Sequence, residues 1–475
     1  MDELSSVFLK NFIMQKNSLT EGSILKSLTI LAVPIVLANL FQTAYQLIDT
    51  FWVGRLGAEA IAAVSLSFPI LFFLISLGMG MAVAGTILVS QYAGKREKNN
   101  VDYVAAQTML MMLFIGIIFT LIGYFICPSI IRLMGVEDSV FAGAVSYLRI
   151  SFLGLIFLFG FFAFQSLMRG VGDVRTPLYI VIGTVLLNLF LDPLFIFGWG
   201  PIPALGVGGA AMATVATQGL STVIGFSILF SGKYNIHLKK VNLKPNFSLI
   251  QKIFRLGVPA SMEQSSRALA VIVMSFLVAT FGTTIIASYG IGARMLSLVI
   301  IPAIGLSMAT SALVGQNMGA GKIDRAEKIS KTSAWLGFSF LGTVGIFVFI
   351  FAEPLCRFFI PNDPEVVEIG AQYVRLMSLS YGFIGVQQAL NGAFRGSGNT
   401  LVSMILAIVS LWVFRFPIAY ILSTHTALSY QGIWWSFSIA NVLAAIVTLI
   451  WFSRGTWKKK RITEKVKLVK EIVAE

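Results

Sequence analysis

Apolar runs long enough to cross about 30 Å of hydrocarbon recur twelve times along this chain. They fall at roughly 27–55, 60–92, 102–127, 140–168, 176–198 and 205–231, then 250–280, 285–316, 323–352, 366–393, 401–423 and 432–453. A polypeptide in lipid must satisfy its backbone hydrogen bonds internally, so runs of this length read as helices. The composition leaves no soluble alternative. The chain is 57% hydrophobic and only 12% charged, against about 25% charged in soluble domains, and no soluble core hides that much apolar surface. The expected fold class is an all-α integral membrane protein with twelve transmembrane helices.

The formal charge of +14 invites a nucleic-acid reading, which its distribution excludes. One set of connections carries Lys95, Arg96, Lys98, Arg169, Arg175, Lys233, Lys239, Lys240, Lys244, Lys322, Arg325 and Lys328, and ends in Lys458-Lys459-Lys460-Arg461. The opposite set holds little beyond Arg55, Arg132 and Arg357, beside Glu137, Asp138, Asp363, Glu365 and Glu368. Basic residues mark the cytoplasmic side, so the reading is a multi-pass plasma-membrane protein with both termini cytoplasmic and some affinity for anionic lipid. Residues 1–26 read as a cytoplasmic segment lying amphipathically on the membrane surface rather than as a cleavable leader. Cys127 and Cys356 have no metal or redox spacing, and His237 and His425 stand isolated in connections.

The connection at 232–249 divides the chain near its middle, and an offset of about 225 residues brings the two sides into register. Leu31, Val33 and Pro34 then fall on Leu256, Val258 and Pro259; Gly57 falls on Gly282, Gly80 on Gly305, and Leu88-Val89-Ser90-Gln91 on Leu313-Val314-Gly315-Gln316. One further residue of shift places Tyr147 and Arg149 on Tyr373 and Arg375, and Arg169-Gly170-Val171-Gly172-Asp173 on Arg395-Gly396-Ser397-Gly398-Asn399. Six spans per half give both halves the same orientation. The expected arrangement is an N-lobe at 27–231 and a C-lobe at 250–454, related by a parallel pseudo-two-fold repeat and followed by a basic cytoplasmic tail at 455–475. Pro34, Pro259, Pro302 and Pro417 interrupt helical hydrogen bonding inside spans, and Pro34 is the expected hinge. The stretch from Gly315 to Lys322 fails as a phosphate-binding loop, because Gln316 stands where glycine is needed.

A charge at the bilayer centre costs a few kcal/mol, so acids within spans are functional candidates. They are Asp49, Asp192 and Glu263. Asn188 and Asp192, like Tyr45 and Asp49, are spaced to share a helix face. Asp49 and Asp192 each sit roughly 9 Å from the external end of their span, and Thr214 enters to about 12 Å. Two carboxylates, an amide and a hydroxyl at one level suit sodium, a hard cation; two close carboxylates would equally share a proton. The repeat argues against scaffold, because Asp49 corresponds to Met274, Asp192 to Ile418, Asn188 to Phe414 and Thr214 to Ala440. Tyr45 and Gln165 are assigned supporting places. A second-lobe polar site is a further candidate, with Glu263, Arg267, Gln387 and Asn391; Glu263 and Arg267 read first as a neutralised i,i+4 pair.

Tyr45 to Trp52, Gln91-Tyr92-Ala93-Gly94, Arg169 to Asp173 and Asn188 to Phe197 together resemble the multidrug and toxic compound extrusion (MATE) family over about residues 25–455. The resemblance looks closest to its DinF-like branch, whose archaeal members hold a cation in the N-lobe; those positions fall on Asp49, Asn188, Asp192 and Thr214. The NorM-like branch places acids in the seventh and tenth spans, whereas here Gln387, Gln388 and Asn391 occupy the tenth and Glu263 sits about a turn early. The resemblance implies a monomeric antiporter, not an enzyme. It would need no cofactor beyond a proton or sodium as coupling ion, and would export small amphipathic, often cationic compounds. Phe at 39 residues and Met at 17 supply material for an adaptable apolar chamber. The alternative is a flippase of lipid-linked oligosaccharide on the same scaffold, against which the few arginines within spans argue.

Overall fold

The structure, a computed structural model, describes residues 19–201, 203–460 and 462–463. Residues 1–18 of the expected amphipathic segment at 1–26, and 464–475 of the basic tail, lie outside the described residues. The described chain is helical and contains no sheet. In order, the helices are α1 (Ile24–Gly54), α2 (Ala58–Gly94), α3 (Lys98–Leu133), α4 (Asp138–Val171), α5 (Arg175–Phe197), α6 (Val207–Ser231), α7 (Phe247–Ala279), α8 (Thr283–Gly319) and α9 (Ile323–Ile350). Then come α10 (Ala352–Phe359), α11 (Pro364–Ser378), α12 (Tyr381–Gly396), α13 (Thr400–Ile408), a π-helical stretch Val409–Arg415, α14 (Phe416–Thr424) and α15 (Tyr430–Ser453). Treating α13 to α14 as one rod, eleven of the described helices are long and apolar enough to cross a bilayer.

The tenth span departs from a single helix. It is α11 and α12, separated at Leu379–Ser380. The hydroxyls of Ser378 and Ser380 donate to the carbonyls of Arg375 and Met377, at 2.8 and 2.9 Å. At the interruption the Ser380 N–H turns to the Met377 carbonyl at 3.1 Å instead of continuing the helical ladder. The eleventh span also departs, widening to i+5 hydrogen bonding over Val409–Arg415, a geometry frequent at functional sites.

The Arg-Gly-x-Gly repeat turns out to be a corner between helices. Gly172 ends α4 with φ 94°, and its counterpart Gly398 has φ 87° after α12, a conformation open to glycine without strain. Asp173 then starts α5, its carboxylate accepting from the backbone N–H of Arg175 and Thr176 (both 3.1 Å) and from the Thr176 hydroxyl (2.6 Å). This corner sets where α5, with Asn188 and Asp192, begins.

The described residues form two compact units, divided inside helices rather than at connections. One unit runs from Leu37 to Ser261 and therefore includes the first turns of α7. There Gly80 of α2 lies so close to the Ser261 backbone that a Cβ would overlap it, and the Ser261 hydroxyl donates to the Leu77 carbonyl at 2.7 Å. The connection before α7 is fastened in the same unit. Asp102 accepts from the His237 backbone N–H (2.8 Å), and the Gln107 amide bridges the carbonyls of Asn242 and Lys244 and the N–H of Asn246 (2.7–2.9 Å).

The other unit takes the described residues up to Val36 together with those from Met262 on. Here Gly305 of α8, the repeat counterpart of Gly80, presses against Val36, the counterpart of Ser261. The chain leading into α1 is held by Asn317, Lys322 and Arg325, which donate to the carbonyls of Leu19, Thr20 and Glu21 at 3.1, 3.1 and 2.8 Å. Both divisions fall two residues past the matched prolines, Pro34 and Pro259.

Candidate functional site

In the Leu37–Ser261 unit, α1 and α5 finish side by side. Trp52 meets Phe197 edge to face at 6.2 Å between ring centroids. The connection after α5 folds back on it, with Leu205 and Gly206 N–H groups donating to the carbonyls of Phe195 and Ile196, both at 3.1 Å. This return brings α6 against α5 so closely that a Cβ on Gly209 would overlap the Phe195 carbonyl. Val53, Ala60, Tyr147, Ile196, Ala210 and Ala211 pack into an apolar seat around the helix ends.

On that seat the sequence-selected polar side chains converge. The Asn188 amide donates to Asp192 Oδ1 at 2.8 Å, and both residues are fully buried. The Tyr45 hydroxyl meets Thr217 Oγ1 at 2.7 Å, with Thr214 nearby on the same helix. Thr217 Oγ1 lies 3.0 and 2.9 Å from the carbonyls of Ala213 and Thr214, to which it must donate its single proton. Tyr45 is therefore the donor in its own bond. Asp49, half-buried, is near enough to Asp192 for the two carboxylates to interact electrostatically.

Three buried oxygens here have no hydrogen-bond partner: Asp49 Oδ1, Asp192 Oδ2 and Asn188 Oδ1. Pro193, lacking an N–H, also withdraws the helical donor from the Leu189 carbonyl one turn back. Both acids sit within the last two turns of their helices, where the helix dipole is negative and a further negative charge is unfavourable. Unpaired acceptor oxygens, two acids and two negative helix ends together call for positive charge. The donors are all oxygen, which fits a hard monovalent cation or a proton.

Sequence reasoning missed two members of the cluster. Thr217 lies one turn beyond Thr214, so helical spacing alone would have found it. Tyr147, matched to Tyr373 as a shared architectural residue, has Asp49, Asp192 and Tyr45 as its neighbours. Gln165 is a correction. It lies on α4 about 27 Å along the axis from Tyr147, and the structure does not bring it to these acids. It is the repeat counterpart of Asn391.

The second-lobe residues form their own cluster in the other unit. Glu263 is buried at 1% exposure; Arg267 donates to its Oε1 at 3.0 Å and to Gln388 Oε1 at 3.0 Å, and the Ser403 hydroxyl donates to its Oε2 at 2.8 Å. Arg395, which the sequence reading had placed only as a repeat match, stands 4.0 Å from Glu263 and donates to Ser307 Oγ at 2.9 Å. Gln387 is buried on α12 apart from these bonds. Asn391 is fully buried, and neither of its side-chain polar atoms has a partner.

Comparison with known proteins agrees with this architecture. The MatE family model matches twice, at residues 34–194 and 259–421, starting on the paired prolines Pro34 and Pro259. The "Probable multidrug resistance protein YoeA" of Bacillus subtilis is 31% identical across 95% of this chain and 97% of its own length. Two solved structures, described as MATE in the bent and in the straight conformation, superpose with TM-scores of 0.87 and 0.86 at 26% identity. They cover 94% and 93% of this chain, and each is itself covered to 98%. Members of this family are membrane transporters rather than enzymes. With two matches in register with the internal repeat and a relative similar from end to end, this chain belongs to the multidrug and toxic compound extrusion family.

Proposed function

We propose that this transporter is a cation-coupled antiporter that exports small amphipathic compounds, with Asp49, Asn188, Asp192 and Thr214 as the coupling site. The observation that carries the reading is the set of three unpartnered buried oxygens on Asp49, Asn188 and Asp192, gathered at two negative helix ends. Buried polar atoms are nearly always paired in native proteins, so a cluster left open is a place for an ion or a proton. Tyr45 and Thr217 hold α1 to α6, and a cation drawn to Asp49 and Asp192 would bind α1 to α5. Loading the site thus changes which neighbours hold the end of α1. Pro34 lies in the same helix, where it removes a backbone hydrogen bond, and it is the place where α1 would yield. The name of the Bacillus subtilis relative supports drugs as cargo.

The test is exchange in proteoliposomes loaded with a fluorescent amphipathic cation and driven separately by a sodium gradient and a proton gradient. One of the two gradients should drive export in the wild type and fail to do so in Asp192→Asn and Asp49→Asn, both isosteric and folded. Exchange undiminished in both variants would remove the site from the mechanism.

A further inference from the structure

The second-lobe cluster carries one positive charge in excess. Its ionised members are Glu263, Arg267 and Arg395, and the charged groups acting on Arg395 are the other two. The acceptor side is filled, since Glu263 uses one oxygen on Ser403 and the other on Arg267, with Arg395 at 4.0 Å. The donor side is open. Arg267 Nε is buried without a partner, and Arg395 donates to Ser307 Oγ at 2.9 Å and, at 3.4 Å, to the Asn391 carbonyl. Along α12, Gln388, which accepts from Arg267, then Asn391 and then Arg395 follow at spacings of three and four and share one face. On that face the Asn391 amide, with 0% exposure, donates to nothing.

A buried excess charge in low dielectric is costly unless something of opposite sign reaches it. A planar group with two acceptor oxygens matches both the guanidinium fork and the idle amide. One excess positive charge matches a single carboxylate rather than a doubly charged phosphate. Arg267 is 30% exposed, while Glu263 behind it is sealed, so the open flank of the cluster is the arginine side.

We propose that Arg267, Asn391 and Arg395 form a binding site for the carboxylate of an amphipathic cargo, balanced by Glu263. This rests on the export reading for its ligand being cargo, and it gives the carboxylate of a zwitterion or organic acid a defined place in the second lobe. The two lobes then offer opposite polarity: acids in the first, excess arginine in the second.

Equilibrium binding of dansylglycine and of its uncharged methyl ester to the full chain in lipid nanodiscs, corrected against empty nanodiscs, tests this. The acid should bind at least about tenfold more tightly than the ester. Arg267→Gln should abolish that preference, and Glu263→Gln, which leaves both arginines without their internal counter-ion, should tighten acid binding severalfold. Misfolding cannot produce the opposite signs of these two effects, and the acid-to-ester ratio is read on the wild type in any case. Equal affinity for acid and ester, or weaker acid binding in Glu263→Gln, would overturn the proposal. No ion gradient enters the assay, so its failure leaves the coupling site standing, and failure of coupled exchange leaves this result standing.

Discussion

At the positions where the first lobe carries Asp49, Asp192, Asn188 and Thr214, the second carries Met274, Ile418, Phe414 and Ala440. Met274 belongs to an apolar core with Tyr373, Trp434, Phe437 and Ala419, in which Tyr373 and Trp434 stack at 4.1 Å between centroids. Tyr147, the counterpart of Tyr373, packs instead with Val53, Ala60 and Ile196 within electrostatic reach of the acids. One fold therefore tolerates either a packed apolar filling or an open polar one at the same place. A scaffold role for the acids would require the second lobe to find a substitute for them. It uses aromatic and aliphatic packing, with the Arg415 guanidinium 4.5 Å from the Phe437 ring centroid and no acid, so the proposed coupling acids have no counterpart there.

The strongest challenge to this contrast is Asp192→Asn. If the polar filling is functional, coupled export should fall to the level of protein-free vesicles while the purified variant keeps its melting temperature. The converse exchange comes next. Met274→Asp places an unpartnered acid in the second-lobe core and should cost about 3 kcal/mol, seen as a lowered melting temperature in detergent. Asp49→Met should not lower it, because the first lobe already lacks partners for that carboxylate. Features common to both lobes should respond alike. Gly80→Ala and Gly305→Ala each push a Cβ into the facing backbone or Val36, and each should cost about 1–3 kcal/mol by thermal melting. A large difference between the two would break the equivalence of the halves. The smallest effect is expected from Tyr45→Phe, which removes the bond to Thr217 and should shift stability by about 1 kcal/mol. Coupling in that variant should weaken without vanishing.

Much of this was legible in the sequence for definite physical reasons. Membrane-spanning helices announce themselves because lipid demands long apolar runs, and the repeat is visible because prolines, glycines and arginines recur at one offset. Asp49, Asn188 and Asp192 were legible because acids are rare in such runs and helical spacing sets their faces. What stayed hidden depends on partners distant in the chain. The break at Leu379–Ser380 carries no proline or glycine to announce it. Arg395 looked like half of a repeat motif, and only packing showed it beside Glu263. Gln165 shares a lobe with the acids but not a depth.

The exchange of leading turns between halves, Ser261 against Gly80 and Val36 against Gly305, bears on how such a chain assembles during synthesis. When residue 231 has left the ribosome all six helices of the first half exist, yet the groove at Gly80 still waits for turns of α7 that have not been made. The first half cannot finish packing before the second begins. Severed within 232–249 and produced as two polypeptides, the protein should recover its fold only when both pieces are made together, each supplying the other with the opening of a helix.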